Sequence, residues 1–139
     1  MVDDVRVERL LRAVADDLAF LHDESTADRR RRDDPAWMRG VKYAFVTAIE
    51  ACVDIAQHLC ASEGWGPPST NADSVLVLGR HGVLDAELAR SVSRAVGFRN
   101  VLVYEYVVVD DAVVLARLAD HSDLPGFVEA VAAWVATQG

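Results

Sequence analysis

Within residues 94–106, RAVGFRNVLVYEY, the groups able to do chemistry are Arg99, Asn100, Tyr104 and Tyr106. A guanidinium presents a planar fork of donors that bonds two oxygens of a phosphate, and it stays charged at any working pH. Arg99 falls on the line Leu88, Val92, Ala95 and Leu102, which is otherwise apolar. A charge on such a face needs either a buried partner or an open cleft. Asn100 suits orienting a substrate, or bonding to backbone at a helix end. Tyr104 and Tyr106 carry phenols, which suit a wet interface as readily as catalysis. Arg90 and Arg94, one turn apart just upstream, are candidates for auxiliary phosphate contacts. His22, His58, His81 and His121 are scattered without ligand spacing, so neither a metal nor a cofactor is expected.

The elements that must position these groups read as helices. Apolar residues at Val7, Leu10, Leu11, Val14, Leu18 and Leu21 recur every three or four positions, predicting an amphipathic helix from Val2 to about His22. Asp23–Asp34 (DESTADRRRRDD) sets four arginines against five acids and reads as a solvated loop. Asp34 and Pro35 then suit the cap and first turn of a long helix reaching about Glu63, closed by Gly64, Gly66, Pro67 and Pro68. Its middle is apolar on more than one face, as in the central helix of a bundle or one shared with a second subunit. Cys52 and Cys60 lie eight residues apart along it, about 12 Å, too far to bridge. A short helix over Asp73–Leu78, one from Ala86 to about Val103 capped by Asp85, one over Ala112–Leu118 and one from Ser122 to Thr137 complete the reading. Val101–Val109 is strand-like in composition, but a single strand would lack a partner. The expected architecture is a mostly antiparallel bundle of about five helices.

Length and charge bound the function. The 139 residues suit one domain, residues 1–139. A net charge of −8 argues against coating nucleic acid by bulk electrostatics, though a local basic site stays open. No run reaches the roughly 18 apolar residues of a membrane span, so no membrane association is expected. MVDDVRVERL has no apolar core of a signal peptide, which points to the cytoplasm.

With IEACVDIAQHL upstream and GVLDAELARSVSRAVGFRN leading into the Arg99 segment, the chain resembles the HepT-type toxins of the HEPN superfamily over roughly residues 1–135. The resemblance implies an all-α bundle, a homodimer and a metal-independent ribonuclease acting on transfer or messenger RNA. It also implies a cognate MntA-like nucleotidyltransferase antitoxin that uses ATP to attach AMP to a tyrosine. The family motif is Arg, a polar residue, three more residues, His, any residue, and Tyr. Arg99 matches its arginine, Asn100 the polar neighbour, and Tyr106 the tyrosine that receives AMP. At position 104, where the family has histidine, this chain has tyrosine.

That departure falls at the most reactive place. Metal-free RNA cleavage uses the ribose 2′-hydroxyl against the adjacent phosphate, with a cation on the phosphate and a group of near-neutral pKa to move protons. An imidazole titrates near 6.5, whereas a phenol, near 10, is ionised in about one part in a thousand at pH 7. Losing general acid–base help costs about 10²–10⁴-fold in rate. The expectation is therefore reduced or lost cleavage, unless another base enters the site. The alternative is a non-catalytic dimeric binding or regulatory protein that keeps the antitoxin interface. Geometry adds a condition. Five residues along an unbroken helix place Arg99 and Tyr104 about 140° apart, so they meet only if the helix ends near Val103 or a second subunit completes the site.

Overall fold

Asp3, Asp28, Asp34, Thr70, Asp85 and Asp110 each turn a side-chain oxygen onto an otherwise free amide, of Arg6, Arg31, Ala36, Asp73, Leu88 and Ala112 respectively. Each such cap is worth about 1 kcal/mol, and together they set where six helices begin. The computed structural model describes residues 2–105 and 107–138. Among these the chain forms α1 (Asp4–Glu24), α2 (Arg29–Arg32), α3 (Pro35–Ser62), α4 (Asn71–Arg80), α5 (Ala86–Tyr104), α6 (Asp111–Ala119) and α7 (Asp123–Gln138), with no strand among the described residues.

The all-α expectation holds. Five helices have ten residues or more, and the nine-residue α6 and four-residue α2 accompany them. The segment read as a solvated loop needs correction, because α1 continues through Glu24 and α2 occupies Arg29–Arg32. The arginine run is a clamp. Arg31 Nε donates to Glu24 Oε2 at 2.9 Å, which places a counter-charge on a buried carboxylate and holds it below the usual carboxylate range. Arg32 bonds the carbonyls of Ala27 and Ser25, both at 2.9 Å, and its guanidinium lies 5.5 Å from the Trp37 ring centroid. The helix expected over Asp73–Leu78 is longer, since, capped by Thr70, it starts two residues earlier at Asn71 and runs on to Arg80.

The central element is α3. It buries thirteen of its 28 residues, from Trp37 to Cys60, and packs against α1, α4 and α5. By length and composition alone α3 is long and apolar enough to cross a membrane. Most of that stretch is buried inside the bundle, so a core explains its apolarity. Phe45, fully buried, meets the Phe98 ring edge-on at 5.3 Å and so locks α3 to α5. Cys52 and Cys60 are buried free thiols within this core. Burial raises both, Cys52 most strongly, so neither is a reactive thiolate.

Where α4 crosses α5, Gly79 lets the backbones approach, and a Cβ at Gly79 would lie 2.6 Å from the Cβ of Ala89. Exposed helical glycines ordinarily gain up to about 1 kcal/mol on replacement by alanine. Gly97, on the open face of α5 with nothing within 4 Å, should follow that rule. Gly79→Ala should instead lose about 1–3 kcal/mol through overpacking. Urea titrations of the two variants should move the midpoint in opposite directions.

Candidate functional site

Ala95, Val96 and Leu102 bury the inner face of α5 against the core, and Arg99 rises from the same face. Its side chain is only 12% exposed and so must find partners. It finds two. Nη2 donates to Glu50 Oε2 in a close ion pair with α3, and Nη1 donates to Asn100 Oδ1 at 3.0 Å. Nε is buried and has no hydrogen-bond partner. Asn100 thus holds one edge of the guanidinium while Glu50, 43% exposed, holds another and reaches solvent.

The condition on Tyr104 is met within one chain. Tyr104 is the last residue of α5, and the next residue, Glu105, leaves helical geometry at φ −122° and ψ 31° while its amide still bonds the Val101 carbonyl at 2.9 Å. The long Arg99 side chain reaches the Tyr104 ring, its guanidinium carbon 5.9 Å from the centroid. Such a cation–π contact at an exposed site contributes about 0.5–1 kcal/mol. Tyr104 remains 73% exposed, and Val107 and Val108 beyond it are 82% and 74% exposed. Tyr106 lies outside the described residues.

Arg99, Asn100 and Tyr104 are therefore brought together. Arg90 and Arg94 are not, because nine and five residues along α5 turn them about 180° and 140° away from Arg99, onto exposed positions. Glu50 was not singled out from the sequence, although the signal was present. Glu50 and Asp54 stand four apart, on one face of an otherwise apolar helix, as a pair of acids would if a cation faced them. Asp54 is half-buried, and its carboxyl is raised above the usual range by burial first and by the charge of Glu50 second, against the opposing pull of Arg6 and Arg99. One turn before Glu50, Thr47 donates to Asp17 of α1 at 2.6 Å. No histidine hydrogen-bonds Arg99 or Glu50, and among the described residues no three His, Cys, Asp or Glu side chains gather as metal ligands. The arrangement is a largely buried cation with a carboxylate and a phenol at its rim, able to take an external anion only where that anion displaces Glu50.

Comparison with known proteins gives the family and the fold. Residues 7–131 match the family described as Ribonuclease HepT-like. The mRNA nuclease HepT of Shewanella oneidensis is 28% identical over 85 residues, which is 60% of this chain and 64% of that protein. The tRNA nuclease HepT of Aphanizomenon flos-aquae is 34% identical over 61 residues, 44% of this chain and 42% of that one. The matched segments thus span less than two thirds of these relatives. Among solved structures, a tri-AMPylated Shewanella oneidensis HEPN toxin in complex with an MNT antitoxin superposes with a TM-score of 0.85 at 21% identity, covering 96% of this chain and 99% of that one. A toxin–antitoxin complex with AMP-PNP gives 0.85 at 19% identity, with 92% and 98% covered. The cytosolic protein YutE of Bacillus subtilis gives 0.85 at 17% identity, with 99% and 93% covered. At these identities the likeness establishes a shared fold.

The raised Asp54 has a consequence for stability. A carboxyl whose pKa is higher folded than unfolded stabilises the fold most when protonated, and that contribution is lost as pH rises through its folded value. Asp54→Asn should therefore raise the melting temperature at pH 7. The advantage should vanish below the ordinary carboxylate range, where Asp54 is protonated in both states. Thermal melts from pH 3 to pH 7 would check the sign.

Proposed function

The chain belongs to the ribonuclease HepT-like family, and from that premise we propose that it is the toxin component of a type VII-like toxin–antitoxin pair, a metal-independent endoribonuclease slowed by Tyr104. The observation that carries the proposal is the convergence of Arg99, Asn100 and Tyr104 at the end of α5. Arg99 takes the scissile phosphate and stabilises the charge growing on it. Asn100 fixes the plane of the fork. Position 104 lies beside the guanidinium, where an imidazole would shuttle protons. Arg90 and Arg94, on the solvent face of α5, serve as outlying phosphate contacts for a longer RNA.

In this reading the chain acts in the cytoplasm as a homodimer, and its partner is an MntA-like nucleotidyltransferase that transfers AMP from ATP to Tyr106. The exposed apolar run Tyr104, Val107 and Val108 supports a protein partner at this end of α5. AMP on Tyr106, seven residues from Arg99, would set a phosphate and a base where RNA enters and so close the site.

A second reading is favoured by one observation. Arg99 is capped by Glu50 and Asn100 and is 12% exposed, a state that suits a non-catalytic dimeric binding or regulatory protein.

One measurement separates them, and a second tests the partner. Tyr104→His should raise cleavage of a single-stranded RNA by about 10²–10⁴-fold, and a variant as inert as the parent would favour the binding protein. Incubation with an MntA-like nucleotidyltransferase and ATP should add AMP, seen by intact-protein mass spectrometry, and Tyr106→Phe should abolish the adduct. An adduct that survives in that variant would remove Tyr106 from the partner's reach.

A further inference from the structure

Two groups at the rim of Arg99 are able to take a proton, the Tyr104 phenol and the Glu50 carboxylate. Phenols ordinarily keep their proton to about pH 10, and carboxylates lose theirs near pH 4. Carboxylates serve as general bases, so of the two the Glu50 side chain is the candidate. It also lies where a base is needed. Glu50 touches the guanidinium nitrogen that would hold the phosphate, and it is far more exposed than Arg99, 43% against 12%. It pairs with Arg99 of α5, which in turn meets the Tyr104 ring, and Asp54 stands one turn along α3, where its carboxyl feels Glu50, Arg6 and Arg99.

We propose that Glu50 is the general base of RNA cleavage in this chain, taking the ribose 2′-hydroxyl proton in place of the imidazole absent at position 104. The inference rests on the nuclease reading above. As the scissile phosphate occupies Arg99 Nη2, Glu50 releases that nitrogen and turns to the 2′-hydroxyl. The proton passes to the carboxylate, the O2′–P bond forms and the P–O5′ bond breaks. The leaving O5′ takes a proton from water, and Glu50 returns its own proton to solvent. The products are a 2′,3′-cyclic phosphate and a 5′-hydroxyl end. Asn100 keeps Nη1 in place throughout, so the fork stays oriented while Glu50 moves.

The test uses the full chain, a single-stranded RNA oligonucleotide and product ends read by mass. Glu50→Gln keeps an oxygen for Arg99 but cannot accept the proton. It should lose about 10²–10⁴-fold in rate, as far as Glu50→Ala does, with an unchanged helix content by circular dichroism. Formate should restore part of the Glu50→Ala loss, which it would not do if the fold had failed. The parent rate should not climb tenfold per pH unit between about pH 6 and 8, as it would if hydroxide were the base. A Glu50→Gln protein as fast as the parent, or a rate rising tenfold per pH unit across that window, would overturn the proposal. A parent that is inert while Tyr104→His cleaves would overturn it too, and would leave the nuclease reading standing. If both are inert, the nuclease reading itself fails, and the role of Glu50 with it.

Discussion

The arrangement turns on one charge placed where the packing pattern calls for an apolar residue. Arg99 sits in register with Ala95 and Leu102 on the inner face of α5, and an isolated cation there would cost several kcal/mol in lost hydration. The chain answers with Glu50 from α3 and Asn100 from the same helix. Because Glu50 is nearly half exposed, the pair straddles the boundary between core and water, and its net contribution to stability is small. Its effect is geometric. It fixes which turn of α5 faces which turn of α3, a register that Phe45 against Phe98 enforces again from the apolar side.

Further polar contacts tie α6 and α7 to α3 and to the first turns of α5. Lys42 of α3 pairs with Asp111 at 3.0 Å, which anchors the start of α6 beside the site. Asp123, nearly buried at the start of α7, receives Arg117 at 2.9 Å and the Ser91 hydroxyl at 2.9 Å, tying α6, α7 and α5 together. The segment from Glu105 to Asp110 is therefore held at both ends. It leaves α5 at Tyr104 and re-enters a helix at the Asp110 cap. Valines at 107 and 108 cannot be buried by so short a connection, and they stay exposed next to Tyr104.

Much of this was legible in the sequence, and the physical reason is local. Asp34 before Pro35, Asp85 before Ala86 and Asp110 before Asp111 announce helix starts through backbone chemistry that needs no tertiary context. The apolar line through Arg99 likewise foretold a partner or a cleft. What the line could not reveal was which partner, because Glu50 lies 49 residues away and the pair exists only once α3 and α5 cross. The arginine run failed for the same reason. Its near-neutral composition reads as solvent, yet Arg31 and Arg32 are spent on Glu24, two carbonyls and the Trp37 ring. The meeting of Arg99 and Tyr104 depended on where α5 ends, at Tyr104 with Glu105 out of helical geometry, and that end carries no proline or glycine to mark it in the sequence.

The same contact that settles the burial of Arg99 also withholds it. A guanidinium with Nη1 on Asn100 and Nη2 on Glu50 presents little free donor surface to an incoming phosphate. RNA must therefore exchange a carboxylate for a phosphate oxygen, trading one anion for another at the same nitrogen. Such an exchange is close to neutral in electrostatic terms, so binding strength has to come from the rest of the nucleotide and from neighbouring surfaces. In a chain of net charge −8 those surfaces are scarce, and Arg90 and Arg94 face away from the fork. The geometry thus suits slow, locally guided chemistry on a single phosphodiester, or tight holding by a protein partner whose apolar contacts with Tyr104, Val107 and Val108 do not rely on charge. Which of the two prevails depends on whether Glu50, once displaced, is left idle or is put to use.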